Sequence, residues 1–146
     1  LSVLDTLGFD FQAWHALRLQ AEDPAARAAL LEQGRALRRQ FEGLVKSAAK
    51  GAFELTLLGH QTLAVNAVSE FTSDLGNLLA LRTGTFAVVF KIDSAQFVKV
   101  SLRSLRSFDV SQIAVQFGGG GHPQASAFRL PMSRFADFLA GTLQPA

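Results

Sequence analysis

The eight residues FVKVSLRS at positions 97–104 constrain the fold more than any other stretch of this chain. Val98, Val100 and Leu102 alternate with Phe97, Lys99, Ser101 and Arg103. A period of two puts these sets on opposite faces of a strand. The apolar set must face a core, so the other face carries a line of cation and hydroxyl ending at Arg103. Immediately upstream, TFAVVFKI at 85–92 reads as a buried strand, with DSAQ as the turn between the two.

Helical periods surround this pair. Asp10 is placed to cap a short helix through Leu19, with Phe11, Trp14 and Leu17 on one face. Asp23-Pro24 offers a cap followed by proline at the first helical position. Leu30, Gly34, Leu37, Phe41, Leu44 and Ala48 then recur at helix spacing until Gly51. Arg35, Arg38, Arg39 and Glu42 form its polar face. The period changes in AFELTLLGHQTLAVNAV at 52–68, which reads as a hairpin joined near Gly59-His60-Gln61. TSDLGNLLALRTG at 72–84 returns to helix, with Thr72 or Ser73 as cap, Leu75, Leu78 and Leu79 inward, and Gly84 as stop. Asp109 and Gln112 open a further helix with Ile113 and Phe117 buried. QASAFRL then suits a final strand and SRFADFLAGTL a closing helix. Strands interleaved with helices predict a single α/β domain, with a mixed sheet of about five strands flanked by helices. Residues 1–22 read as linker or the end of a preceding region, and 23–146 as the domain.

A chain of 146 residues can bury about 68–70% of its extended surface. It contains no cysteine, which excludes disulfides and thiolate chemistry and fits a cytoplasmic setting. No apolar run approaches the ~20 residues of a membrane span, and no signal peptide opens the chain. Without an initiator Met, it reads as a piece of a longer protein. Net charge is only +2, but Lys91, Lys99, Arg103, Arg106, Arg129 and Arg134 face only Asp93 and Asp109 in their segment, a local +4. That suits an anionic ligand of modest size and is too little for a long nucleic-acid track. An unevenly charged surface without function explains the charge equally well.

These cations surround FGGGGHPQASAF at 117–128. Each glycine costs roughly 0.5–1 kcal/mol against alanine in regular structure, so four in a row imply a need for bare backbone. Gly118 suits the left-handed stop of the preceding helix. The run is no P-loop, because no Lys-Ser or Lys-Thr follows, and no dinucleotide fingerprint, because it follows a helix. A helix C-terminus disfavours phosphate. An anion held here therefore needs N–H groups curled into a nest, plus real cations, with His122 and Arg103 the obvious suppliers. A hinge would need only one glycine. His15 and His60 read as structural or solvated. Metal-ligand sets for two-metal hydrolysis and a Gly-x-Ser-x-Gly elbow are both missing. Such a chain binds rather than catalyses alone.

Ser101, Arg103 and Ser104, then Ile113 and Ala114, then Gly118, Gly119, Gly120, Gly121 and His122 occur in an order and spacing that resemble the C-terminal, DHH-associated domain of DHH-family phosphoesterases. The match is specific in the last third of the chain; upstream, LAVNAV around Asn66 is only compatible. Ala125, Ser126 and Ala127 stand where the family often has Ala-Ala-Gly, a mark of subfamily. The resemblance implies a substrate-binding domain for a nucleotide or short nucleic acid. Arg103, Ser101, Ser104, Gly118–Gly121 and His122 would lie near phosphate, with no metal in this chain. It also implies a partner, the N-terminal DHH domain of the same polypeptide, holding two manganese or magnesium ions. The full-length protein would be a hydrolase, a phosphodiesterase or exonuclease. The alternative is a non-catalytic RNA-binding module like the C-terminal domain of alanyl-tRNA synthetases, where arginine commonly follows the glycines; His122 and SLRS favour the phosphoesterase branch. A homodimer through Phe11, Trp14 and Leu17 is a third reading, against which packing within the domain is preferred.

Overall fold

The computed structural model describes residues 8–145 and divides into two compact units, residues 1–44 and 45–146. In the first, α1 (Phe11–Glu22) is capped by the Asp10 carboxylate, which accepts from the Gln12 N–H at 2.9 Å. It runs three residues beyond the Leu19 expected from its apolar period. The start of the chain expected to be linker lies, for residues 1–7, outside the described residues. Helix α2 (Pro24–Ala48) begins as its Asp-Pro pair predicts: the Asp23 carboxylate accepts from the Ala26 N–H at 2.7 Å. Its polar face carries the exposed ion pairs Arg38–Glu42 and Arg39–Glu32.

The second unit is built on a six-stranded mixed sheet, one strand more than the alternation suggested. Its strands are β1 (Phe53–Leu57), β2 (His60–Asn66), β3 (Phe86–Ile92), β4 (Phe97–Ser104), β5 (Gly120–His122) and β6 (Ala125–Pro131), in spatial order β1-β2-β3-β4-β6-β5. Only β2 and β3 are parallel, because α3 (Thr72–Thr83) carries the chain back between them. The extra strand is the glycine run itself, pairing Gly120 with Ala127 and His122 with Ala125.

The hairpin between β1 and β2 turns at Leu58-Gly59, one residue earlier than the expected Gly59-His60-Gln61, since His60 and Gln61 already pair within β2. Both residues have positive φ, 48° and 79°, as a two-residue hairpin loop requires. Leu58 tolerates this strained backbone with its side chain packed against the core. Gly84, at φ 74°, ends α3 as expected, its N–H donating to Ala80 O. The start of α3 differs from the expected Thr72 or Ser73 cap. A 3-10 turn over Ser69–Phe71 leads straight into the helix, so Thr72 and Ser73 keep their hydroxyls free of capping.

One sheet face packs Val88, Phe90, Val98, Val100, Leu102, Phe128 and Leu130 against α4 (Ser111–Gln116) and α5 (Phe135–Leu139). His60 stands edge-on to Phe108 at 5.2 Å and to Phe86 at 6.2 Å, a packing role. The closing helix is shorter than expected, with a 3-10 turn over Met132–Arg134 before it and Gly141 at φ 72° after it. The other face buries Ala87 and Val89 under Leu75, Gly76, Leu79 and Ala80 of α3. This helix covers β3 and part of β4, leaving the β4–β6–β5 side open. Among the described residues, no helix is long and apolar enough to cross a membrane.

Candidate phosphate-binding site

The alternation in β4 holds: Val98, Val100 and Leu102 are fully buried, while Lys99 is exposed and Arg103 half-buried. Register then places neighbours in rungs across the open face. Arg103 pairs with Ala125, which pairs with His122; Ser101 pairs with Ala127, which pairs with Gly120. Strands lie about 4.8 Å apart, so Arg103 and His122 flank Ala125 with backbones roughly 10 Å apart. Because Ala125, Ala127 and Gly120 are small, the floor between the longer side chains is low. A cavity of about 290 Å³ opens there, lined by Arg103, Ser101, Lys99, Gly120, Thr72 and Ser73 among others.

Arg103 is the chemical centre of this cavity. Its Nη1 donates to Leu102 O at 2.9 Å, and its Nη2 approaches Ser73 Oγ at 3.5 Å. Among the described residues, no carboxylate pairs with it, and burial pushes its pKa below the usual guanidinium value. A partly desolvated cation without a counter-ion is a site for an anion. The start of α3 adds the positive end of a helix dipole on the same side. Thus the favourable helix end near the glycines belongs to α3, whereas the unfavourable end of α4 is turned to structural use.

That use divides the glycine run. Gly118, at φ 71°, and Gly119 donate their N–H groups to Val115 O (3.0 Å) and Ala114 O (2.9 Å), closing α4. The nest expected of the run does not form, because Gly118 and Gly119 close α4 while Gly120 and Gly121 are extended in β5 and paired with β6. A Cβ on Gly119 would lie 2.2 Å from Ala127 O, and one on Gly121 would lie 2.5 Å from Ala125 O. Both glycines let β5 press against β6. Gly120 has open space where a side chain would be, and that space is the cavity. Gly120 is therefore the one glycine of the run whose bareness the fold does not require.

Ser101 lies in the cavity beside Arg103, whereas His122 is exposed and does not line it, standing one strand beyond the lining residue Ala125. Ser104 does not join them. The same alternation turns it to the opposite side, where its buried hydroxyl donates to Phe108 O at 2.6 Å and approaches Pro123 O at 3.1 Å. It ties the His122-Pro123 segment to the end of β4. Asp109 holds the start of α4, and its carboxyl is lowered below the usual range by hydrogen bonds from the Ser111 hydroxyl and N–H.

Sequence reasoning did not assign Thr72, Ser73 or Gly76 to this site. Gly76 carried a usable signal, since glycine inside a helix costs about 1 kcal/mol against alanine. Its Cβ would sit 2.6 Å from Arg103 Cγ and 2.9 Å from Arg103 Cβ, so glycine makes room for the arginine stem. Gly76→Ala is expected to weaken phosphate-ligand binding several-fold by displacing Arg103, despite the better helix former. Isothermal titration of the variant checks this; undiminished affinity would show that the stem adjusts freely.

A cavity of about 530 Å³ lies at the opposite edge of the sheet, lined by Glu54, Thr56, Arg82 and Gly141 among others. It is larger, but Arg82 shares it with the carboxylate of Glu54 and donates to Ala49 O at 3.5 Å. Among the described residues, no three His, Asp or Glu side chains converge as a metal site.

Three known proteins are similar to parts of this chain. The uncharacterized protein R106 of Acanthamoeba polyphaga mimivirus is 49% identical over 63 residues, covering 39% of this chain and 14% of the viral protein. The pGpG-specific phosphodiesterase PggH of Vibrio cholerae superposes with a TM-score of 0.55 at 13% identity, over 80% of this chain and 40% of that one. An uncharacterized Helicobacter pylori G27 protein matches more loosely, with a TM-score of 0.39 at 21% identity over 65% of this chain and 28% of its own. The chain thus spans less than half the length of each. Residues 59–143, which contain the whole β4–β6–β5 face, match the DHHA1 domain. With more than half its length matched, the chain belongs to the DHHA1, or DHH-associated, family.

Proposed function

We propose that this chain is the substrate-gripping domain of a DHH-family phosphoesterase, and that it holds a phosphate of a nucleotide or short nucleic acid at Arg103. The half-buried, unpaired guanidinium beside Gly120 carries this reading. Arg103 supplies a charged fork, Ser101 and Ser73 supply hydroxyls, and His122, one strand beyond Ala125, would reach the ligand from outside the cavity. Family membership supports the reading, as does the fold shared with a phosphodiesterase whose substrate, pGpG, bears phosphates. The hydrolytic step would belong to a DHH domain of the same polypeptide, in a cytoplasmic enzyme, where two manganese or magnesium ions would activate water. The described residues of this chain do not fit such ions, so no step of bond cleavage is assigned to them.

An NMR titration of the chain with 5′-phosphorylated diadenylate tests the proposal. Saturable shifts confined to the amides of Arg103, Gly120, Gly121, His122 and Ser73 are expected. Shifts centred instead on Glu54, Arg82 and Gly141, or no shift at millimolar ligand, would contradict it.

A further inference from the structure

Two rungs along the sheet from Arg103 lies a second concentration of charge. Lys91 of β3 pairs directly with Lys99 of β4, and Lys99 pairs directly with Arg129 of β6. All three lie on the same face as Arg103, because Lys99 and Arg103 are separated by four residues of one strand. Side chains directly opposite one another on neighbouring strands have Cβ atoms about 5 Å apart, and like charges there destabilise the sheet. One carboxylate relieves the row: Asp93 bonds Arg129 at 2.9 Å, while Arg129 also lies over the Phe97 ring at 4.5 Å. Lys91 and Lys99 have no carboxylate partner among the described residues. Glu70 lines the same cavity as Lys91 without forming an ion pair.

The surroundings make this row an extension of one groove. The cavity at Arg103 shares Ser69 with a second of about 550 Å³ that contains Asn66 and Lys91. It shares Lys99 and Ala127 with a third, also about 550 Å³, that contains Gly118 and Arg129. Lys91 and Asn66 stand at the carboxyl ends of the parallel pair β2–β3, where open α/β sheets place ligands. A sheet that tolerates three adjacent cations at this edge bears a stability cost its packing does not explain.

We propose that Lys91, Lys99 and Arg129 form a second anion subsite, so that the groove selects ligands with two or more phosphates over a mononucleotide. This rests on the reading of Arg103 as the first phosphate contact. At roughly 3.3 Å per residue, the Arg103 and Lys99 backbones are about 13 Å apart, too far for one phosphate to engage both fully. Successive phosphates of one short strand, with the intervening nucleoside over the low Ser101–Ala127–Gly120 rung, meet both. The charge row thereby acts on ligand length, whereas Arg103 acts on every phosphorylated ligand.

The test is a comparison of adenosine 5′-monophosphate with 5′-phosphorylated diadenylate, at several salt concentrations. The proteins compared are the wild-type chain, the variant Lys91→Gln, and Arg103→Ala. For Lys91→Gln, whose side chain does not line the Arg103 cavity, dinucleotide affinity should fall several-fold and mononucleotide affinity stay within about twofold. Its log K against log salt slope should become shallower by up to about 0.7 per lost phosphate contact. Its unfolding midpoint should be unchanged or higher, since a like-charge contact has gone. Equal losses for the two ligands, or no loss for either, overturn the second subsite. Arg103→Ala fails separately: if it leaves both affinities intact, the first contact is wrong whatever the lysine variant does. No saturable binding to the wild-type chain counts against both.

Discussion

Gly119→Ala should cost the chain about 3 kcal/mol of stability, at the upper end for overpacked sites. The added methyl would meet Ala127 O at 2.2 Å and Phe128 Cα at 2.8 Å, both backbone atoms that no rotamer change can move. Relief requires separating β5 from β6, which also breaks the Gly119 N–H bond to Ala114 O. Urea denaturation provides the measurement, with Gly120→Ala as its companion. Gly120 has nothing within 4 Å of its Cβ position, so its alanine variant should stay within about 0.5 kcal/mol of the parent. It should lose affinity instead, because the methyl enters the cavity. Equal stability losses in the two variants would remove the distinction between glycines that build the fold and the glycine that serves the ligand.

Arg103→Ala should weaken binding of a 5′-phosphorylated dinucleotide roughly 10- to 150-fold. Hydrogen bonds to a charged group contribute about 1.5–3 kcal/mol, and each 1.4 kcal/mol is about tenfold in affinity. Arg103→Lys should fall between, since lysine keeps the charge and loses the planar fork. Stability should change little: the mutation removes a partly desolvated cation with no carboxylate partner, along with a stem packed on Gly76. Loss of affinity at nearly constant unfolding midpoint is therefore the expected signature. The reverse pattern, lower stability with affinity retained, would make Arg103 a structural residue.

Much of this site was legible from local pattern. The alternation in FVKVSLRS placed Lys99, Ser101 and Arg103 on one face correctly, because strand period is a property of the backbone alone. Asp23-Pro24, Gly84 and Gly118 marked their helix ends for similarly local reasons. What stayed hidden depends on partners distant in sequence. Glycine has low strand propensity, so nothing in GGGGH announces β5; it exists because Gly119 and Gly121 permit close contact with β6. Ser104 looked like a site residue beside Arg103, yet one step along a strand reverses the side chain, and its hydroxyl serves the loops. The Lys91–Lys99–Arg129 row is scattered over 39 positions of sequence and assembles only through the register of three strands. The start of α3 was read as a cap because Thr and Ser stood there. The 3-10 turn before it satisfies the first N–H groups and releases both hydroxyls toward the cavity.

A crystal structure of the chain with 5′-phosphorylated diadenylate tests the central claim most directly. The expected result is a phosphate oxygen within hydrogen-bonding distance of the Arg103 guanidinium, over Gly120 and between Ser73 and His122. A dinucleotide seated elsewhere, with Arg103 still bonded only to Leu102 O and Ser73, would contradict it.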